Sequence, residues 1–173
     1  MLASCAKIKS PALDSVLLKE FAEYLNFSGF SAPVAELKNF LSFAISAVEQ
    51  HTHRAAFRAD YLAIFRAESE RTFRLPVFPC RMLHKVTIDG VEVAGELIPG
   101  GGGYSVAVAE NVTGTVEISF SAGYDEAYPL PETYKAAIFA IGADLYEHRE
   151  SQSEISLYEN RTIKFILQSL DMP

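Results

Sequence analysis

Apolar residues first recur at helical spacing between Asp14 and Leu25, where Val16, Leu17, Phe21, Tyr24 and Leu25 fall on one side of a helix. Asp14 suits the cap, because its carboxylate can accept N–H groups that a first turn leaves unpaired. Asn26 to Gly29 supply a stop, since asparagine and glycine tolerate the left-handed backbone at a helix C-terminus. A second helix is predicted from Ser31, Ala32 and Pro33 to about Thr52, with Pro33 near the first turn and Glu36 in it. Leu37, Phe40, Leu41, Ala44, Ile45 and Val48 make its apolar face, and Phe43 and Ala47 widen it. A stripe that wide asks for burial on more than one side, in the core or against a neighbouring subunit. Residues 1–13 show no period and are expected to be a loose start.

From Tyr61 the period falls to two. Tyr61–Phe65 and Arg71–Leu75 read as strands, and Pro76 and Pro79 break the stretch that follows. Val86–Ile88 and Val91–Val93 flank Asp89-Gly90, the strongest local hairpin signal in the chain. Gly100 to Gly103 predict a flexible tip, and Tyr104–Val108 and Thr115–Phe120 two more antiparallel strands. A third helix, from about Pro131 to Arg149, is apolar nearly all round, so it needs neighbours on several faces. After a polar break at Glu150 to Glu154, a fourth is predicted from about Leu157 to Leu170. The expected fold is α+β: about four helices packed with a small antiparallel sheet between the second and third. It forms one domain over 14–170, with the β-region at about 60–121.

Charge and composition narrow the function more than they define it. The chain has 173 residues and a net charge of −7, against broad binding to nucleic acid, which needs clustered Lys and Arg. No apolar run approaches the roughly 18 residues a membrane helix needs, so a soluble protein is expected. Cys5 and Cys80 are too few for a disulfide framework or a zinc cluster, and a reducing compartment is the default. Leu2 to Cys5 resembles a lipoprotein box but lacks the charged leader and apolar segment that should precede it.

Candidate chemistry is thin. His51 and His53 stand two apart, so on a helix they point in different directions and cannot share a metal unless the helix has already ended; a solvated helix end is the better reading. The four glycines lack the Gly-Lys-Ser/Thr ending that would cradle a phosphate. No Gly-x-Ser-x-Gly frames a serine; Cys80, between Pro79 and Arg81, could carry a slightly depressed thiol pKa, but no base is positioned for it and a buried structural cysteine is the better reading. Arg54, Arg58, Arg66, Arg71 and Arg74 make the middle of an acidic chain locally basic. They suit a solvated face or a charge-complementary contact with another subunit.

The most informative stretch runs from Ser119 to Glu150. A strand ending near Phe120 meets Ala122-Gly123-Tyr124, then Pro129 and a Pro131-Glu132 helix start, and the helix ends in Tyr146-Glu147-His148-Arg149-Glu150. This arrangement closely resembles the signature of the small head–tail connector (adaptor) proteins of tailed bacteriophages. Ala44 to Glu49 followed by Thr52-His53-Arg54 is similar to the end of that family's second helix. Arg74-Leu75-Pro76-Val77-Phe78-Pro79, leading into Val86–Ile88, resembles its Leu-Pro-x-x-Pro segment. The four-glycine loop and the long stretch from Arg54 to Arg74 depart from the pattern.

The resemblance implies a non-enzymatic virion protein, with no catalytic residue, metal or cofactor. Its subunits would form a ring of roughly a dozen copies below the portal protein, onto which the tail or a stopper protein docks. DNA would pass through without specific binding, and an acidic lining would repel it. The site would be the head–tail junction of the virion, with assembly in the cytoplasm of the bacterial host and no membrane partner. Candidate interface residues are Tyr124, Tyr146, Arg149, Arg54 and Arg74, since Tyr and Arg are favoured anchors of buried interfaces. A small-molecule-binding protein or enzyme, and another morphogenesis protein such as a stopper or tail-completion factor, are the alternative readings.

Overall fold

The computed structural model describes residues 1–9, 15–27, 33–100, 102–147 and 168. The chain divides into two compact units, one of Met1–Pro11 with His53–Pro129 and one of Ala12–Thr52 with Leu130–Pro173. Among the described residues the first is built of strands and the second of helices.

The β unit holds β1 (Leu2–Lys9), β2 (Ala59–Arg74), β3 (Cys80–Ile88), β4 (Val91–Val93), β5 (Gly95–Gly100) and β6 (Gly103–Ala122). They form one antiparallel sheet in the order β1-β2-β6-β3-β4, with β5 also on β6. β6 is the spine: β2 follows it along one side, while β3 and then β5 share the other. Alternation decides which face is covered. Ala59, Tyr61, Ala63, Phe65 and Ala67 on β2 are buried together with Val116, Ile118, Phe120 and Ala122 on β6. Tyr61 lies opposite Phe120 and the two rings stack at 5.6 Å.

The sheet also curls. Phe65 and Phe73 lie on one strand, and a straight strand would separate them by about 26 Å. Their ring centroids are 5.3 Å apart. The register shifts between Ala67, Glu70 and Thr72 bend β2 back, so one core holds Phe65, Phe73, Leu75, Val106 and Val108. The Asp89-Gly90 turn forms as expected, with φ of 47° and 83° between paired Ile88 and Val91.

The helical unit holds α1 (Ser15–Tyr24), α2 (Val34–Thr52) and α3 (Glu132–Glu147). Its core joins Leu17 and Phe21 to Leu37, Leu41, Ile45 and Val48, and to Ala137, Ile138 and Ile141. Phe21 packs on Phe139 at 5.4 Å, and Gly142 makes room for it: a Cβ there would stand 2.7 Å from Phe21 Cζ. The stops behave as their residues dictate. Asn26 takes φ 62° and the Phe27 N–H bonds back to the Ala22 carbonyl at 2.9 Å. The Pro131 carbonyl accepts the Tyr134 and Lys135 N–H groups at 2.9 and 3.1 Å.

Several expectations need correction. The α+β class holds, but the sheet has six strands and is not confined between the second and third helices. The supposedly loose start contributes β1, which pairs with β2. Its residues from Leu2 to Ile8 are exposed, so no burial stamped an alternation on them. Tyr61–Phe65 and Arg71–Leu75 are essentially two ends of one long strand, and Tyr104–Val108 and Thr115–Phe120 both lie in β6. Bulges interrupt the period without ending the ladder. Among the described residues there are three helices. The fourth predicted helix lies outside those residues, apart from Gln168.

Candidate partner interface

Three segments meet at one end of the β unit, where Ala122 pairs with Ala59 on one side and Cys80 on the other. The lead into β2 is tied to the lead into β3 by Ala55 N–H to Phe78 O at 3.0 Å and Phe78 N–H to His53 O at 3.3 Å. The chain leaving β6 is tied to both, through Arg58 N–H to Tyr124 O at 2.8 Å and Gly123 N–H to Pro79 O at 2.9 Å. Gly123 is required at the crossing. Its φ is 113°, and a Cβ would collide with the Phe57 carbonyl and stand 2.8 Å from the Arg58 nitrogen.

Arginines and aromatic rings gather on this junction. The Arg81 guanidinium carbon lies 4.1 Å from the Tyr128 ring centroid and 5.6 Å from that of Tyr124, while its Nε donates to Gly123 O at 2.9 Å. Arg54 covers the Phe78 ring at 4.8 Å. Arg58 Nη1 donates to Asp125 Oδ2 at 3.0 Å. Asp125 Oδ1 accepts the N–H groups of Ala127 and Tyr128 at 3.1 and 3.0 Å, which folds the loop that presents Tyr128. The Arg58 hydrogen bond, helped by those N–H groups, holds the Asp125 carboxyl below the usual carboxylate range. The resulting surface is aromatic and cationic, with Tyr128 57% exposed.

The expected interface residues do not form one group. Arg54 and Tyr124 belong to this junction. Arg74 closes β2 and is paired in register with Ser105, at the other end of that strand. Tyr146 belongs to α3, half-buried, with its ring edge-on to Phe27 at 5.6 Å and Phe40 at 6.1 Å. Arg149 lies outside the described residues. Sequence reasoning missed Arg81 and Tyr128 as partners. The signal was Arg81 two residues after Pro79 and a second tyrosine four residues beyond Tyr124, but only the strand register brings them together.

Other chemistry is sparse. α2 ends at Thr52 and His53 takes φ 54°, past the helix that carries His51. Among the described residues no group of three or more His, Cys, Asp and Glu is arranged to hold a metal ion. Cys80 is buried, and desolvation pushes its thiol up to about 11. No helix among these residues is long and apolar enough to cross a membrane.

No protein-family model matches the chain. The head completion protein gp6 of Enterobacteria phage HK97 is 47% identical over 34 residues, which is 20% of this chain and 32% of that protein. The chain thus spans about a third of the length of the curated relative it matches. Among solved structures, a chain in the neck of an empty gene transfer agent (GTA) particle, computed with C6 symmetry, is similar over 98% of this chain and 96% of its own. The TM-score is 0.77 at 20% identity. A chain of the neck of the native GTA particle, computed with C12 symmetry, matches over 100% of this chain and 96% of its own, with a TM-score of 0.74 and 20% identity. At that identity the likeness is one of fold. The chain therefore has the fold of a neck component of a phage-like particle, and this fold and the local match to a head completion protein support the resemblance to the head–tail connectors.

Proposed function

We propose that the chain is a structural head–tail connector of a phage or phage-like particle. Copies of it form a ring between portal and tail, and the ring extends the channel through which DNA passes. The observation that carries this reading is the full-length likeness of fold to a neck chain, because it includes the β unit as well as the helices. The role is non-enzymatic, and 14–170 together with the β1 strand acts as the connector domain. The protein works at the head–tail junction of the virion, after assembly in the host cytoplasm.

Assembly proceeds by surface complementarity, with contacts of the head-to-tail kind that close into rings. The junction of Arg54, Tyr124, Arg81 and Tyr128 is the first candidate anchor, since Arg and Tyr carry most binding energy where they become desolvated. Arg74, Tyr146 and Arg149 are further proposed contacts with a neighbouring subunit, the portal, or a tail or stopper protein. Negative-stain imaging of the purified chain, alone and mixed with its cognate portal protein, tests the reading. Rings in either sample support it. A chain that stays monomeric and never binds portal overturns it.

A further inference from the structure

Three strands of the six-stranded sheet have a single neighbour: β1 at one side, and β4 and β5 at the other. β1 pairs only with β2, and β4 pairs only with β3, among the described residues. An open edge presents a row of N–H and C=O groups that natural proteins pair, cover or blunt. β1 is not covered: Leu2 to Ile8 are exposed, with Leu2 at 39% and Ile8 at 60%. Its ladder to β2 and the bond from the Met1 amine to the Arg66 carbonyl hold it in place. A strand that buries little side chain gains little from hydrophobic burial within one subunit. Its position makes more sense if a further strand completes it.

We propose that β1 of one copy pairs with β4 of the next, so that the sheet runs on from subunit to subunit. This rests on the connector reading, which supplies the second copy. The two edges are different surfaces of one sheet, so the contact is head-to-tail, as a closed ring requires. Each strand in the order is antiparallel to its neighbour, so β1, β6 and β4 run one way and β2 and β3 the other. A small rotation per subunit preserves that direction, and β1 therefore lies parallel to β4. Charge does not oppose the contact: β1 carries Lys7 and no acid, while on β4 the Glu92 side chain, 67% exposed, is bridged to Lys85 of its own copy at 3.1 Å. Length agrees. Register shifts at Leu2/Ser4 and Lys7/Lys9 leave Ser4–Lys7 as the regular part of β1, and β4 is three residues long. Edges this short limit pairing without a defined register.

Cys5 lies in that regular stretch and is exposed, whereas Cys80 is buried. In the full-length Glu92→Cys chain, a short bis-maleimide should then link Cys5 of one copy to position 92 of the next. We expect a ladder of covalent multimers beyond the dimer on a denaturing gel, from samples in which imaging shows rings. The ladder should vanish in Cys5→Ser/Glu92→Cys and in the unmodified sequence. Rings that yield no multimer beyond a dimer would overturn the edge pairing and leave the connector reading intact. Absence of rings, alone and with portal, would remove both.

Discussion

Replacing Gly123 by alanine tests whether the junction at the end of the sheet is as constrained as its geometry implies. Two costs add. A side chain held at φ 113° pays about 1–2 kcal/mol for leaving the backbone regions open to L-residues. The new Cβ also meets backbone, not a yielding side chain: the Phe57 carbonyl group and, at 2.8 Å, the Arg58 nitrogen. Overpacking of that kind costs about 1–3 kcal/mol. A total near 3 kcal/mol corresponds to a fall in Tm of about 6–12 °C for a chain of this length. Far-UV circular dichroism on heating, at one fixed protein concentration because association would shift the midpoint, gives the measurement. Gly103→Ala is the control. That glycine has no positive φ and nothing within 4 Å of its would-be Cβ, so its Tm should stay within about 2 °C of the unmodified chain. If Gly123→Ala melts as high as Gly103→Ala, the junction is not rigid and the case for a preformed Arg–Tyr surface fails.

Four other outcomes follow from the titrating groups. Cys80, buried with its thiol pushed up to about 11, should resist maleimide near neutral pH while exposed Cys5 labels; one label per native chain and two after unfolding is the expected mass-spectrometric count. Because its folded pKa is raised, Cys80 contributes stability that is full below its ordinary value and is lost as pH rises towards 11, visible as a falling urea midpoint. The Asp125 carboxyl should titrate below the usual range by NMR and move up in Arg58→Ala; its contribution is present above the ordinary carboxylate value and lost only as pH falls through the depressed one. Lys135 bridges α3 to α1 through Glu20 at 3.0 Å, and that partner first, then Glu132, raises its amine. A double-mutant cycle of Glu20→Gln and Lys135→Met should give a coupling of no more than ~1 kcal/mol, because the Glu20 side chain is 40% exposed, and the coupling should fade as pH rises past the amine's raised value.

The helices were legible because their information is local. Leu37, Leu41, Ala44, Ile45 and Val48 print α2 at helical spacing, and Asn26 and Pro131 mark real ends. The Asp89-Gly90 turn was legible for the same reason, since its two residues alone favour the positive φ it needs. The long strands were not. Bulges near Glu70 let β2 bend its own Phe73 onto Phe65, which breaks the period that a reader follows. β1 left no trace at all, because a strand exposed on both faces needs only backbone pairing. Arg81 and Tyr128 failed for a third reason: their meeting depends on which strands are neighbours, and spacing along the chain cannot supply that.

The same register explains how a long β insertion can sit within a helical sequence pattern. The chain leaves α2 at Thr52 and enters α3 at Glu132, and the intervening strands must begin and end near each other if the segment is to close on itself. The bonds from Arg58 to Tyr124 and from Gly123 to Pro79 do that closing, and the Arg58–Asp125 pair adds a side-chain tie at 3.0 Å. The residues that close the segment are thus the ones that gather its arginines and tyrosines. Arg81 is fixed at once by a carbonyl and by two rings, so little side-chain entropy remains for a partner to remove. A surface ordered before its partner arrives is suited to binding without rearrangement, and that is the physical ground for testing this junction first as an anchor of the proposed ring.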